Sequence, residues 1–219
     1  MRPITVTVGP LTAPSATNVR TASGVLAAGA IVLNGSLVSG GIATFDNARR
    51  VLFTTTADET TKTAILTGTN WSDNPIGETV TLVNNSTVAS VLDYKTLSNV
   101  VISAALTGNL SIGTNGVAGS PWVACDPWAS LPIGVQVSVS GTVNYTVQIT
   151  YDDPNSPVSP PTVAAVNWSS SADTNLVSKT ALAIGSLANI PAFVRVLLNS
   201  QTNPGYATMI VSQPGVVPQ

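Results

Sequence analysis

The chain has 219 residues, of which 44% are apolar and only 8% charged, with 17 Gly, 15 Pro, a single Cys and no His; an ordinary soluble domain is about a quarter charged. Without His the commonest general base, zinc ligand and pH switch are all removed, and the lone Cys125 excludes an intrachain disulfide framework and a Cys-cluster metal site. A net charge of −2 provides no electrostatic footprint for nucleic acid, while the apolar content is too high for a disordered chain.

From the start, Met1-Arg2-Pro3 leads directly into the alternating ITVTV, so the sequence predicts no signal peptide. No apolar run reaches the roughly 20 residues that span a bilayer. The next strand-like runs, rich in Thr, Val, Ile and Leu, are Arg50–Thr56, Thr63–Thr67, Glu78–Val83 and Leu97–Leu106. Turn-forming pieces separate them: Ala57-Asp58-Glu59, residues 68–77, and Asn84-Asn85-Ser86. Between Gly113 and Pro132 the strand pattern pauses in Gly-Thr-Asn-Gly, Ser-Pro-Trp and Asp-Pro-Trp, which predicts a boundary near residue 120.

Beyond that boundary Val135, Val137 and Val139 alternate with Gln136, Ser138 and Ser140, and the odd positions from Val143 to Tyr151 are apolar throughout. This period of two predicts strands with one face on a core and one on water, and Ser140-Gly141-Thr142 reads as the turn of a hairpin joining them. The loop 152–161, with four prolines, cannot be a central strand. Ala181–Leu187 makes one helical turn at most, and Ala192–Asn199 with Tyr206–Val211 predicts a second pair around Ser200–Gly205. The expectation is an all-β protein with very little helix, built as two small β-sandwich or jelly-roll-like units. These are residues 1–120, and residues 121–219 with the Pro-rich loop 152–161 and an extended tail, Gln213–Gln219, that reaches outward or packs on a neighbour.

The chemistry-bearing residues are few. A Ser-His-Asp or Cys-His arrangement is impossible, and no Gly-x-Ser-x-Gly elbow is present. Lys62, Lys95 and Lys179 lie in no nucleophile motif. The carboxylate pairs Asp58-Glu59 and Asp152-Asp153 read as polar turns rather than as a glycosidase pair, since neighbours on a strand face opposite ways. A calcium site on Asp152, Asp153 and Asn155 lacks the six or more oxygens such a cation takes, and Gly113–Gly119 lacks the Lys of a phosphate loop. The reading is a non-enzyme with no cofactor, no metal and no nucleic-acid or membrane partner.

Interface candidates remain. Trp71, Trp122, Trp128 and Trp168 lie in turn regions, where a large ring closes the end of a sandwich, stacks on a sugar or anchors a subunit contact. Arg49-Arg50 is the one adjacent basic pair, with Asp46 upstream as a local partner. Asp93 and Lys95 are expected on one face of an extended segment. Arg195 is the lone charge within an apolar run, which predicts an edge position or a carboxylate partner such as Asp152 or Asp153. Pro214 represents the tail.

Two stretches resemble segments of uncharacterised virion proteins of tailed bacteriophages. One runs from Asn47-Ala-Arg-Arg-Val-Leu-Phe through Gly68-Thr-Asn-Trp-Ser-Asp-Asn-Pro to Ser90-Val-Leu-Asp-Tyr-Lys-Thr and Gly113-Thr-Asn-Gly. The other is Ser140-Gly-Thr-Val-Asn-Tyr-Thr-Val-Gln-Ile-Thr-Tyr-Asp-Asp-Pro, then Trp168 and Pro191-Ala-Phe-Val-Arg-Val-Leu-Leu-Asn. The resemblance implies a particle protein without catalytic residues. The expected role is a capsid decoration or cement protein on the outer capsid surface, bridging major capsid protein and assembling with copies of itself as a small oligomer such as a trimer. The alternative is a tail- or fibre-associated receptor-binding adaptor that grips a host glycan.

Overall fold

The structure, a computed structural model, describes residues 3–22, 24–126 and 132–213. In chain order its strands are β1 (Ile4–Val8), β2 (Ser15–Arg20), β3 (Gly29–Ala30), β4 (Val38–Ser39), β5 (Ile42–Thr55), β6 (Thr63–Thr69), β7 (Pro75–Thr81) and β8 (Thr87–Ala89). They continue as β9 (Tyr94–Ile102), β10 (Leu110–Gly119), β11 (Val123–Ala124), β12 (Ile133–Thr150), β13 (Ser169–Ser170), β14 (Ala183–Leu187) and β15 (Phe193–Ser212). Two single-turn 3₁₀ segments, Val163–Ala165 and Thr174–Leu176, are the helical content of the described residues. The protein is all-β, as the period-two alternation requires.

The chain divides into two compact units, Ala13–Gly116 on the one hand and Met1–Thr12 with Val117–Gln219 on the other. The division expected from sequence fell at about residue 120 and gave the first residues to the first unit. They go with the later unit because β1 pairs antiparallel with the end of β15, from Ile4↔Val211 to Val8↔Ala207. A second difference is β10. Its glycines read as a pause, yet it is a ten-residue strand in which a Cβ at Gly113 would stand 1.8 Å from the Ser15 carbonyl oxygen of β2. Glycine is there because another backbone approaches.

In the 13–116 unit, β5, β9, β6 and β7 lie side by side in that order, all antiparallel. Phe45, Val51, Phe53, Leu66, Tyr94, Leu97, Val100 and Ile102 are the inward residues of this alternation and are fully or almost fully buried.

The other unit is organised by one long ribbon. β12 and β15 pair along their whole lengths, from Gly134↔Ser212 to Thr150↔Phe193. The two hairpins expected around Ser140–Thr142 and Ser200–Gly205 therefore do not form. Each predicted pair is instead one continuous strand, and the two strands pair with each other. Periodicity reports which face a residue takes but not which strand it bonds.

At the middle of the ribbon Gly141 adopts φ +70°, and a Cβ on it would lie 2.9 Å from Cα of Gly205. One arm of the ribbon is flanked by β14 and β1, the other by β13 and β11. Both arms bury side chains in one core, with Val135, Val137, Met209 and Val211 from the first and Tyr145, Val147, Val194 and Val196 from the second. This is the economy of a sandwich made from bent strands. Most of Ala181–Leu187, read as a turn of helix at most, is strand β14, Ala183–Leu187, because the exposed edge of β12 recruits it.

The core face of β15 changes phase along the strand: Val194, Val196 and Leu198 are inward, then Ala207, Met209 and Val211. The register shift between Asn144↔Ser200 and Tyr145↔Leu198 accounts for it, since Asn199 is an extra residue on β15. Its side chain is held by Asn144 Oδ1 at 2.7 Å and Thr146 Oγ1 at 2.9 Å.

The close approach at the bend generates a test. A Cβ at Gly205 would stand 2.8 Å from the Thr142 carbonyl oxygen and from Val143 Cγ1, whereas one at Gly134 meets nothing nearer than 3.8 Å. Gly205→Ala is expected to cost about 2 kcal/mol and to lower the urea midpoint, with Gly134→Ala close to neutral. Equal midpoints for the two variants would contradict the bend.

Candidate functional site

Most of the charged side chains among the described residues are engaged within the fold. In the 13–116 unit β5 leaves register with β9 between Thr44↔Thr96 and Arg49↔Tyr94, so that residues 45–48 bulge out. Lys95 Nζ donates to the freed carbonyls of Phe45 (2.9 Å) and Asp46 (3.1 Å). Asp46 Oδ1 accepts from the Asn47 amide at 2.9 Å and from Arg49 Nη1 at 3.4 Å. Arg49 is wholly buried, with Nη2 donating to the Asn115 carbonyl at 2.6 Å. Burial pushes its pKa down, and Asp46 opposes that shift. Arg50 lies 3.5 Å from Asp93. The Arg49-Arg50 pair thus takes opposite faces, and Asp93 and Lys95, expected on one face of an extended segment, serve two different partners.

Asp58-Glu59 is no carboxylate pair in the catalytic sense. Asp58 caps its own turn through the Thr60 amide (3.1 Å) and hydroxyl (2.8 Å). Glu59 is fully buried and ties two loops together. Its Oε1 accepts from the amides of Thr107 and Gly108, both at 2.8 Å, and from the Thr107 hydroxyl at 2.9 Å, while Oε2 pairs with Lys62. Burial alone would raise its pKa, but these donors together outweigh it and hold the carboxyl at about 2. Glu78 likewise receives the amides of Val91 (2.9 Å) and Leu92 (3.1 Å), with burial pushing its pKa up.

Trp71 is half-buried in the turn between β6 and β7, where Asn70 Oδ1 accepts from the Ser72 and Asn74 amides. In the other unit Trp122 and Trp168 meet edge to face with centroids 5.0 Å apart, and Phe193 lies 5.8 Å from Trp122. The Arg195 guanidinium stacks over Trp168 at 4.3 Å while its Nε donates to Gln148 Oε1 at 3.0 Å. Arg195 is buried; a cation is tolerated there because an aromatic face and an amide oxygen receive it.

The carboxylates expected to pair with Arg195 act locally. Asp152 Oδ2 accepts from the Asn167 amide at 2.7 Å and its Nδ2 at 3.1 Å, and Asp153 Oδ1 from the Asn155 amide at 2.8 Å. Cys125 is buried and its thiol is pushed up to about 11, which makes it a poor nucleophile. Trp128 and Pro214 lie outside the described residues. Gln213, expected to begin the outward tail, is buried, donating to the Ala124 carbonyl and accepting from the Asp126 amide.

The outer face of the β14-β12-β15-β1 sheet in the later unit is uncharged. Ile184, Gln136, Ile210 and Thr5 form one cross-strand row on the outer face of β14, β12, β15 and β1, and Ser138, Thr208 and Thr7 form the next. No charged residue occurs in β14, in β1, or in the parts of β12 and β15 that they flank. Ile184 is 65% exposed.

Tyr151, which sequence reading passed over in favour of the tryptophans, is exposed. Its odd position placed it with the inward residues, but β12 ends at Thr150 and the ring turns out. Comparison with family models, with curated proteins and with solved structures gave no match.

The Glu59 lock sets a pH test. Its folded pKa lies below the ordinary carboxylate value, so its stabilisation is complete above about pH 4.5 and is lost as the pH falls through about 2. Glu59→Gln is expected to lower the urea midpoint at pH 7, and the gap to the parent protein should close progressively toward pH 2. A gap that stays constant over that range would contradict the assignment.

Proposed function

We propose that the chain is a non-enzymatic structural protein of a tailed-bacteriophage particle, a capsid decoration or cement protein that binds major capsid protein and further copies of itself on the outer capsid surface. The observation that carries this reading is the division of labour among side chains. Arg49, Arg50, Glu59, Lys95 and Arg195 are spent on internal locks, while the β14-β12-β15-β1 face offers Ser, Thr, Gln and Ile without charge. Identical copies meet on such a face without like-charge repulsion and without stripping water from ions. Its hydroxyl and amide groups bond across a symmetric contact, and Ile184 and Ile210 supply apolar area. The resemblance of residues 47–116 and 140–199 to virion proteins supplies the setting.

The test is cosedimentation of the full chain with capsids stripped of accessory proteins. The parent protein is expected to saturate them, and Gln136→Lys combined with Ile184→Lys to bind at least about tenfold more weakly with an unchanged melting curve. Removal of residues 214–219, leaving the buried Gln213 in place, tests the expected role of the tail in the same assay and should weaken binding without unfolding. Parent-like saturation by the double variant, or failure of the parent protein to bind, would contradict the reading.

A further inference from the structure

We propose that the surface around Tyr151 is a binding site for an uncharged saccharide. Tyr151 is 61% exposed and forms a wall of two clefts, of about 260 and 430 Å³. Ligand sites for small molecules measure roughly 300–1,000 Å³. The opposite wall is one continuous stretch of chain. Ser186–Asn189 line the smaller cleft and Ile190–Phe193 the larger, and Tyr151 is the residue that the two lobes of the site share.

Each lobe carries a carboxylate fixed in advance by backbone amides. In the larger, Asp153 accepts from Asn155 at 2.8 Å; in the smaller, Asp173 accepts from Asn175 at 2.9 Å and Ser186 at 3.0 Å. Each oxygen retains acceptor capacity beyond these bonds. The exposed amide side chains of Asn155 and Asn189 add donors and acceptors, one in each lobe.

The larger lobe is backed by Phe193, which packs against Trp122, itself set edge-on to Trp168 beneath the Arg195 guanidinium. The two tryptophans therefore act as a buttress, and the ring presented outward is the tyrosine. An exposed aromatic face, pre-positioned carboxylate acceptors and amides on both sides match a pyranose, which has a C–H face to stack and hydroxyls to donate. Among the described residues no Lys or Arg lines either lobe, so phosphates and acidic sugars are disfavoured, and the hydroxyl-rich neutral sugars are the class that fits.

The site is a property of the isolated chain and does not depend on the particle reading; either can fail without the other. The test is saturation-transfer NMR on the full-length protein with glucose, galactose, mannose, rhamnose and N-acetylglucosamine, each as monosaccharide and as short homo-oligosaccharide. At least one neutral sugar is expected to receive saturation on its ring C–H protons. Tyr151→Ala should weaken that binding about tenfold, and Asp153→Asn several-fold, while Tyr151→Phe stays close to the parent and all three variants keep its melting temperature. Absence of transfer to every sugar in the panel would overturn the proposal. So would binding that Tyr151→Ala leaves intact, or preferential capture of a lysine-containing tripeptide, which would make the carboxylates a cation site.

Discussion

The end-to-end pairing of β12 with β15 is the constraint on which the later unit depends. Residues more than fifty positions apart, such as Tyr145 and Leu198, must find each other, and only then do β1, β11, β13 and β14 have edges to join. Two features let a ribbon this long cover a core from both sides. The backbones of Gly141 and Gly205 approach too closely for a Cβ, and the extra residue Asn199 turns the inward face of β15 from even to odd positions. Non-local pairing of this kind is slow to form, because loop closure comes before the contacts that reward it, and the single Cys125 leaves no intrachain disulfide to hold the ribbon instead.

A second economy follows from the scarcity of charge. Buried ions are costly unless they are paired and hydrogen-bonded, and this chain uses them where irregular backbone has to be satisfied. Lys95 caps the carbonyls released by the β5 bulge, Glu59 gathers the amides of the 107–108 turn, and Arg49 reaches the Asn115 carbonyl. The locking groups lie at bulges and loops, and the regular sheet face is left to Thr, Ser, Gln and Ile. The same allocation stabilises the fold and leaves an outer surface suited to neutral, hydrogen-bonded association.

Much of the fold is legible in the residues themselves. The odd-numbered apolar positions from Ile133 to Val147 include most of the inward face of β12, and the phase change between Val194-Val196-Leu198 and Ala207-Met209-Val211 is visible in the sequence. Strand partnership is not, because a hairpin at Gly141 and a bend at Gly141 have the same alternation and the same glycine. Local signals also mislead at Gly113, where glycine marks a strand crossed closely by another rather than a loop. The lone charge of Arg195 was correctly singular, but its aromatic partner Trp168 comes from a distant loop. Tyr151 was masked by its own periodicity, since one residue beyond the strand end the alternation no longer decides direction.

If the uncharged sheet face joins this chain to a capsid, the protein must be present in numbers that follow the shell. Its copy number in purified particles, measured by quantitative mass spectrometry against the major capsid protein, is the most direct test. A ratio near one or a simple fraction of it is expected; a handful of copies per particle, or none, would contradict the decoration role.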